Sequence, residues 1–250
     1  VNCTADQIII GAGSEYLMML LTQILGTSRT IAMENPTYRQ AYRVFESLGC
    51  QMKPVEMDAH GMNVRLLEES GADIAYVMPS HQYPMGVVMP VKRRQELLSW
   101  AGRGEKRYLI EDDYDSEFRY RGKPVPALQG MDIQGKVIYM GTFSKSIAPA
   151  IRVGYLVLPA PLLAVYKRKC GFYASTVSRI DQKIIYQFLT EGHYERHLNR
   201  MRAIYKGKHD VLMSELKTLG TEFIVQGEYA GLHVLLKYRK AGMETWLVEE

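Results

Sequence analysis

A lysine set among hydroxyl groups is the most reactive-looking stretch of this chain. Lys145 follows an apolar, β-rich run from Lys136 to Met140, with Thr142, Ser144 and Ser146 beside it and Arg152 seven residues on. A lysine amine attacks aldehydes only when its neutral form is accessible, which a desolvated or cationic setting supplies. Hydroxyls and a guanidinium suit an anion such as phosphate. An amine beside a phosphate cradle is what an aldehyde cofactor with a phosphate tail requires. Taken alone, the same stretch also fits a surface lysine in a polar loop.

Two further groups bear on that choice. The run Lys106 to Glu111 leads into Asp112, Asp113, Tyr114 and Asp115. A buried strand end does not hold charge without a partner, and open α/β sheets bind ligands at that end. Alternation along the strand puts Ile110, Asp112 and Tyr114 on one face, so a carboxylate and a phenol point together. A carboxylate facing a pyridine nitrogen keeps the ring protonated and a better electron sink, and a phenol can bond the ring hydroxyl. A metal site or a solvated loop is the competing reading of the acids, and no His or Cys adjoins them in sequence.

The other group is the turn Gly11-Ala12-Gly13-Ser14, between Ile8-Ile9-Ile10 and a helical run from Glu15 to Leu25. With Ser14 as the cap, its free N–H groups and helix dipole favour an anion. Tyr38, at the start of a helix reaching Leu48, fits either a core staple or a ring stacked on a flat cofactor. Amine, acid and anion cradle together match pyridoxal phosphate.

The elements that must position these groups alternate. Strands are expected at Ile8–Ile10, Thr30–Met33, Gln51–Glu56, Ala72–Met78, Lys106–Glu111 and Lys136–Met140, and helices at Glu15–Leu25, Tyr38–Leu48, Val64–Glu69 and Pro90–Ala101. This pattern predicts an α/β fold with a mostly parallel sheet. A last strand, Val153–Leu158, leaves little room for a crossover helix and is expected to run antiparallel. After Pro161 the pattern becomes helical (Leu162–Arg168, Val177–Thr190, Tyr194–Leu219), then strands at Glu222–Val225 and Gly231–Lys237 and a helical run at Met243–Glu250. The expected division is a large domain over 1–160 and the start of a smaller α+β domain over 161–250. A chain opening on Val1 and stopping inside a helical run reads as part of a longer protein.

Bulk properties exclude several classes. The net charge of +4, from 31 basic and 27 acidic residues, is too mild and too scattered to argue for nucleic acid. The basic run Arg196, Arg200, Arg202, Lys206 and Lys208 is interrupted by Glu195, Asp210 and Glu215 and reads as a solvated helix face. Three cysteines without metal spacing suit a reducing cytosol. The apolar stretch Ile8–Gly26 is too broken to span a membrane.

The assembled motifs resemble those of the fold-type-I pyridoxal-phosphate-dependent aminotransferases, class I/II. More narrowly, the chain is similar to the aminotransferase-like domain of MocR/GabR-type transcription regulators of the GntR family. The carrying segments are residues 11–15, Glu34-Asn35-Pro36-Thr37-Tyr38, Pro79-Ser80-His81-Gln82-Tyr83-Pro84-Met85-Gly86, Ile110 through Phe118, and Gly141 through Tyr155. The resemblance implies a sheet with one antiparallel strand and helices on both faces. It implies that Lys145 forms a Schiff base with the cofactor and later shuttles a proton. Asp112 would pair with the pyridine nitrogen, Asp113 being the second choice; Tyr114 would bond the ring oxygen and Tyr38 stack on the ring. Gly13, Ser14 and Glu15 (through its backbone), Thr142, Ser144 and Arg152 would hold the phosphate. Many aminotransferases carry an Asn where this chain has Tyr83, leaving His81, Gln82 or Tyr83 to replace it. The family's arginine for a substrate carboxylate falls beyond residue 250, with Arg39 and Arg43 as weaker stand-ins.

The implied function is an effector-sensing domain that binds pyridoxal phosphate and then a small amine or amino acid. It would act as a homodimer and reach DNA only through a domain absent from this chain. The alternative is a working aminotransferase using an amino acid and a 2-oxo acid. A scaffold kept only for dimerisation would have no need of Lys145 together with Asp112.

Overall fold

The computed structural model of the chain describes residues 1–120 and 125–239. β1 (Ile8–Gly11) is followed by α1 (Ser14–Leu25), β2 (Thr30–Asn35), α2 (Arg39–Ser47), β3 (Gln51–Asp58), β4 (Gly61–Met62), α3 (Val64–Glu69) and β5 (Ile74–Val77). Then come α4 (Val91–Gly102), β6 (Tyr108–Asp113), α5 (Leu128–Met131), β7 (Val137–Thr142) and β8 (Gly154–Val157). The first eight strands form one sheet in the order β1-β8-β7-β6-β5-β2-β3-β4.

The pairs β3–β2, β2–β5, β5–β6 and β6–β7 are parallel, while β8 runs antiparallel to both β7 and β1, as the short connection requires. A second antiparallel strand departs from the expected one. β4 folds back on the end of β3 because the Asp58 carboxylate accepts from the His60 N–H at 2.8 Å and Gly61 takes φ +98°. A two-residue strand leaves no periodicity to read.

Alternating strand residues feed two cores. One face buries Tyr76, Ile110, Ile138, Met140 and Leu156 against Leu17 and Leu21 of α1 and Phe45 of α2. The other buries Ala75, Val77, Leu109 and Val137 against Leu97 and Trp100 of α4. Helices therefore cover both faces. Arg94 of α4 lies fully buried and staples the loop after β5: its Nε donates to Met89 O at 3.0 Å and its Nη2 to Pro79 O at 2.7 Å. Its Nη1 donates to Pro126 O at 2.9 Å.

Beyond β8 come α6 (Ala160–Lys169), α7 (Arg179–Thr190) and α8 (His193–Leu216), then the antiparallel pair β9 (Phe223–Gln226) and β10 (Leu235–Tyr238). Leu162 and Cys170, bracketing α6, join the first core. Ser178 caps α7 by accepting from the Asp181 N–H at 3.0 Å. The expected helical run Met243–Glu250 lies outside the described residues. Among the described residues no helix is long and apolar enough to cross a membrane.

Candidate functional site

Sheet register brings the distant motifs to one edge. Gly11 pairs with Gly154, and Gly154 with Thr142, across β1, β8 and β7. Asp112 pairs with Met140, and Asp113 with Gly141, across β6 and β7. The turn at Gly13, the Lys145 loop, Arg152 and the acidic strand end thus adjoin.

The cradle begins at Gly13, which takes the N-cap of α1 with φ +89°; Ser14, expected at that cap, is the first helical residue. The reason is steric. The Arg152 guanidinium packs onto Gly13, and a Cβ there would stand 2.6 Å from Arg152 Nη2. Arg152 Nη2 donates to Glu15 Oε2 at 2.6 Å, bridging 137 residues of sequence. Arg152 itself holds the left-handed conformation, φ +47° and ψ +35°. Burial alone would raise the Glu15 pKa, but its own backbone N–H, Arg152 and the Ser14 hydroxyl hold the carboxyl below its ordinary value. The Glu15 carboxylate therefore already occupies the position of an anion in this cradle, which is the structural evidence that a phosphate fits it. Thr142 Oγ1 accepts from the Ser144 N–H at 3.1 Å, shaping the loop that carries the exposed Lys145.

The acid end is buried. Asp112 and Tyr114 lie on the same side as Ile110, and the Tyr76 hydroxyl donates to Asp112 Oδ2. Burial raises the Asp112 pKa to about 7, against the opposing Tyr76 bond, with Asp113 and Asp115 adding to the rise. Asp113 is engaged by Tyr139 at 2.7 Å and Ser116 at 2.8 Å. Glu111 accepts from the Leu128 and Gln129 N–H groups at 2.8 and 2.9 Å. Within β6, alternation puts Asp112 on the side of Tyr114, while Asp115, past the strand end, meets the Tyr114 hydroxyl at His81 Nδ1.

Tyr38 sits half-buried at the N-cap of α2, its ring edge-on to Tyr83 at 5.8 Å. Burial raises its pKa, and the Glu15 and Asp112 charges raise it further. Tyr114 donates to the His81 carbonyl at 2.8 Å.

The loop after β5 sorts its three candidates. Gln82 is spent on Pro36 O and the Met85 N–H, both at 2.9 Å. His81 is buried, its Nδ1 3.0 Å from Asp115 Oδ2. Tyr83 is exposed, between the rings of Tyr38 and His233. Arg39 and Arg43 stay exposed on α2.

Sequence reasoning missed Tyr76, the His81–Asp115 pair and His233. His81, Asp115 and His233 have the donors of a metal site and lie close together. Here, however, Asp115 Oδ2 is shared by His81 Nδ1 and by the Leu232 N–H at 3.1 Å. His81, Asp115 and the pair Leu232-His233 lie far from one another in sequence, so no motif could have joined them.

A model of the family described as aminotransferase class I and II matches residues 1–249. An uncharacterised HTH-type transcriptional regulator of Bacillus subtilis, YdeL, is 39% identical over 251 residues, covering 100% of this chain and 54% of that protein. A probable rhizopine catabolism regulatory protein of Rhizobium meliloti, MocR, is 32% identical, over 96% of this chain and 49% of its own length. The chain thus spans about half the length of these curated relatives. Among solved structures, the multiple substrate aminotransferase of Thermococcus profundus superposes with a TM-score of 0.85 at 28% identity, over 97% of this chain and 62% of that one.

Proposed function

The chain belongs to the class I and II aminotransferase family, and we propose that it is the pyridoxal-phosphate-binding, effector-sensing domain of a MocR/GabR-type transcription regulator. The regulators that it resembles over 96% or more of its length support the sensing role. Pyridoxal phosphate is the cofactor of this fold family, and it supplies an electron sink for an amine's α-carbon when bound.

This chain's residues then divide the work. Lys145 would hold the cofactor through its Nζ amine and serve as the proton carrier for the ligand's α-carbon. Asp112, its carboxyl held by the Tyr76 hydroxyl, would favour a proton on the ring nitrogen. Tyr114 would bond the ring oxygen and Tyr38 would stack on the ring. The N–H groups of Gly13, Ser14 and Glu15, the hydroxyls of Thr142 and Ser144, and the Arg152 guanidinium would hold the phosphate in place of the Glu15 carboxylate. Tyr83 takes the position left by the missing Asn, since Gln82 and His81 are bonded elsewhere.

The observation that carries this reading is the packing of Arg152 onto Gly13. It joins the phosphate arm of the lysine loop to the open end of α1. The test is the visible absorbance of purified protein supplied with pyridoxal phosphate. Lys145→Ala is expected to abolish that band; persistence at full strength overturns the assignment.

The division into a domain over 1–160 and a smaller one over 161–250 belongs to the same proposal, as do dimerisation and contact with DNA through a region outside this chain. Exposed apolar side chains on α7 and the turn before it (Phe172, Ile180, Ile184, Tyr186) suit a second copy. The second reading, a working aminotransferase, is favoured by the likeness to the Thermococcus profundus enzyme. Steady amino transfer from an amino acid to a 2-oxo acid by the parent protein would select it.

A further inference from the structure

We propose that His233 is a ligand-contacting, specificity-determining residue of the Lys145 site, accepting a hydrogen bond from a donor group on the amine ligand. The inference rests on the cofactor reading above and adds a residue from the C-terminal region to it.

Three features of His233 lead there. First, the ring extends an aromatic wall that starts at Tyr38: Tyr38 meets Tyr83 at 5.8 Å, and Tyr83 meets His233 at 5.1 Å. It lies half-buried. Burial and the adjoining His81 hold its pKa below the ordinary histidine value, against the opposing bond to Pro84 O and the Asp115 charge. Second, its protonation pattern is fixed by a bond. His233 Nε2 lies 3.2 Å from Pro84 O. A carbonyl only accepts, so Nε2 carries the proton, and a neutral imidazole then offers Nδ1 as an acceptor.

Third, the ring is held in place from below. His81 lies 4.4 Å from it, centroid to centroid, and Asp115 anchors His81 through Nδ1 at 3.0 Å. The same carboxylate oxygen accepts from the Leu232 N–H at 3.1 Å. Gly231, at φ +75°, lies so close to His81 that a Cβ would fall inside the imidazole. His81 and Asp115 are thus positioning residues for His233, and the turn cannot shift without disturbing them. An acceptor at the end of the Tyr38–Tyr83 wall discriminates between amines that carry a second donor and those that do not.

The experiment uses the parent protein loaded with pyridoxal phosphate and follows the cofactor spectrum on adding paired probes. L-Serine and L-alanine differ by a hydroxyl, and L-lysine and L-norleucine by an ammonium. The wild type is expected to bind at least one donor member more tightly than its partner, by roughly five- to tenfold, the worth of one hydrogen bond. His233→Phe is expected to erase that preference while retaining the Lys145-dependent band and the affinity for the donor-free probes; His233→Gln retains part of it. A wild type without preference, or a preference unchanged in His233→Phe, overturns the inference alone. A wild type lacking the Lys145-dependent band overturns the cofactor reading and this inference with it.

Discussion

Arg152 Nη2 lies 2.6 Å from Glu15 Oε2, above the bare Cα of Gly13. The pair closes an anion cradle with the protein's own carboxylate, so a phosphate entering it competes with an internal charge. Removing that charge without changing shape isolates the competition. Glu15→Gln is expected to tighten pyridoxal phosphate binding, while Arg152→Ala weakens it by roughly ten- to a hundredfold, the value of a charge-assisted hydrogen bond. Titration of each variant by absorbance checks both directions. Looser binding by Glu15→Gln would show that the carboxylate supports the phosphate instead of standing in for it.

Asp112 ties stability to pH. Its pKa is raised from 3.8 to about 7 by burial, so the folded chain keeps a proton there that the unfolded chain releases. That contribution is complete below 3.8 and is lost as pH rises through about 7. Glu34, Glu111 and Glu117, also raised to about 7 by burial, act in the same direction. Glu15, Asp58 and Glu68, held low, oppose it only at the acid end. The cofactor-free chain is therefore expected to lose Tm toward neutral pH, with a shallower slope in Asp112→Asn. Thermal melts across the interval decide this; parallel curves for the two proteins would contradict the assignment.

Arg94 binds three carbonyls from inside the fold and lies 3.9 Å from the buried Glu111 carboxylate. Arg94→Leu removes the guanidinium from these carbonyls and the opposing charge from Glu111, which keeps the Leu128 and Gln129 N–H groups. The expected loss is about 3–5 kcal/mol, the cost of leaving a buried charge unpaired. Denaturant unfolding measures it, and the loop from Pro79 to Met89 should become the first site of proteolytic cleavage.

Ile180 and Ile184 stand one turn apart on α7, 73% and 56% exposed, which is the outward face of the proposed dimer contact. Ile180→Glu with Ile184→Glu is expected to shift the protein toward monomer in sedimentation at low micromolar concentration. An unchanged dimer would move the contact elsewhere.

The sheet was legible because most of its strands are apolar runs bounded by glycine, proline or charged residues, whereas the two-residue β4 is not. Asp112 and Lys145 stood out because charge at the end of an apolar run needs a cause. Gly13 in place of Ser14 at the cap was not legible, since the deciding contact comes from Arg152, far along the chain. The cluster of His81, Asp115 and His233 was hidden for the same reason: Asp115 and Leu232 are 117 residues apart, and periodicity says nothing about which loops meet. Tyr76 read as an ordinary strand residue, because its apolar ring is in the core while only its hydroxyl reaches Asp112.

The reversed direction of β8 has an outcome beyond sheet topology. Because β7 ends at Thr142 and β8 starts at Gly154 as its immediate antiparallel neighbour, residues 143–153 form a single hairpin-like link. Lys145 and Arg152 are both on that link. The spacing between Lys145 and Arg152 is consequently a local property. The same link is where α8 meets the sheet, His197 Nε2 lying 3.1 Å from Ser146 O and Tyr194 edge-on to Phe143. A displacement of α8 would therefore be felt first at the residue next to Lys145.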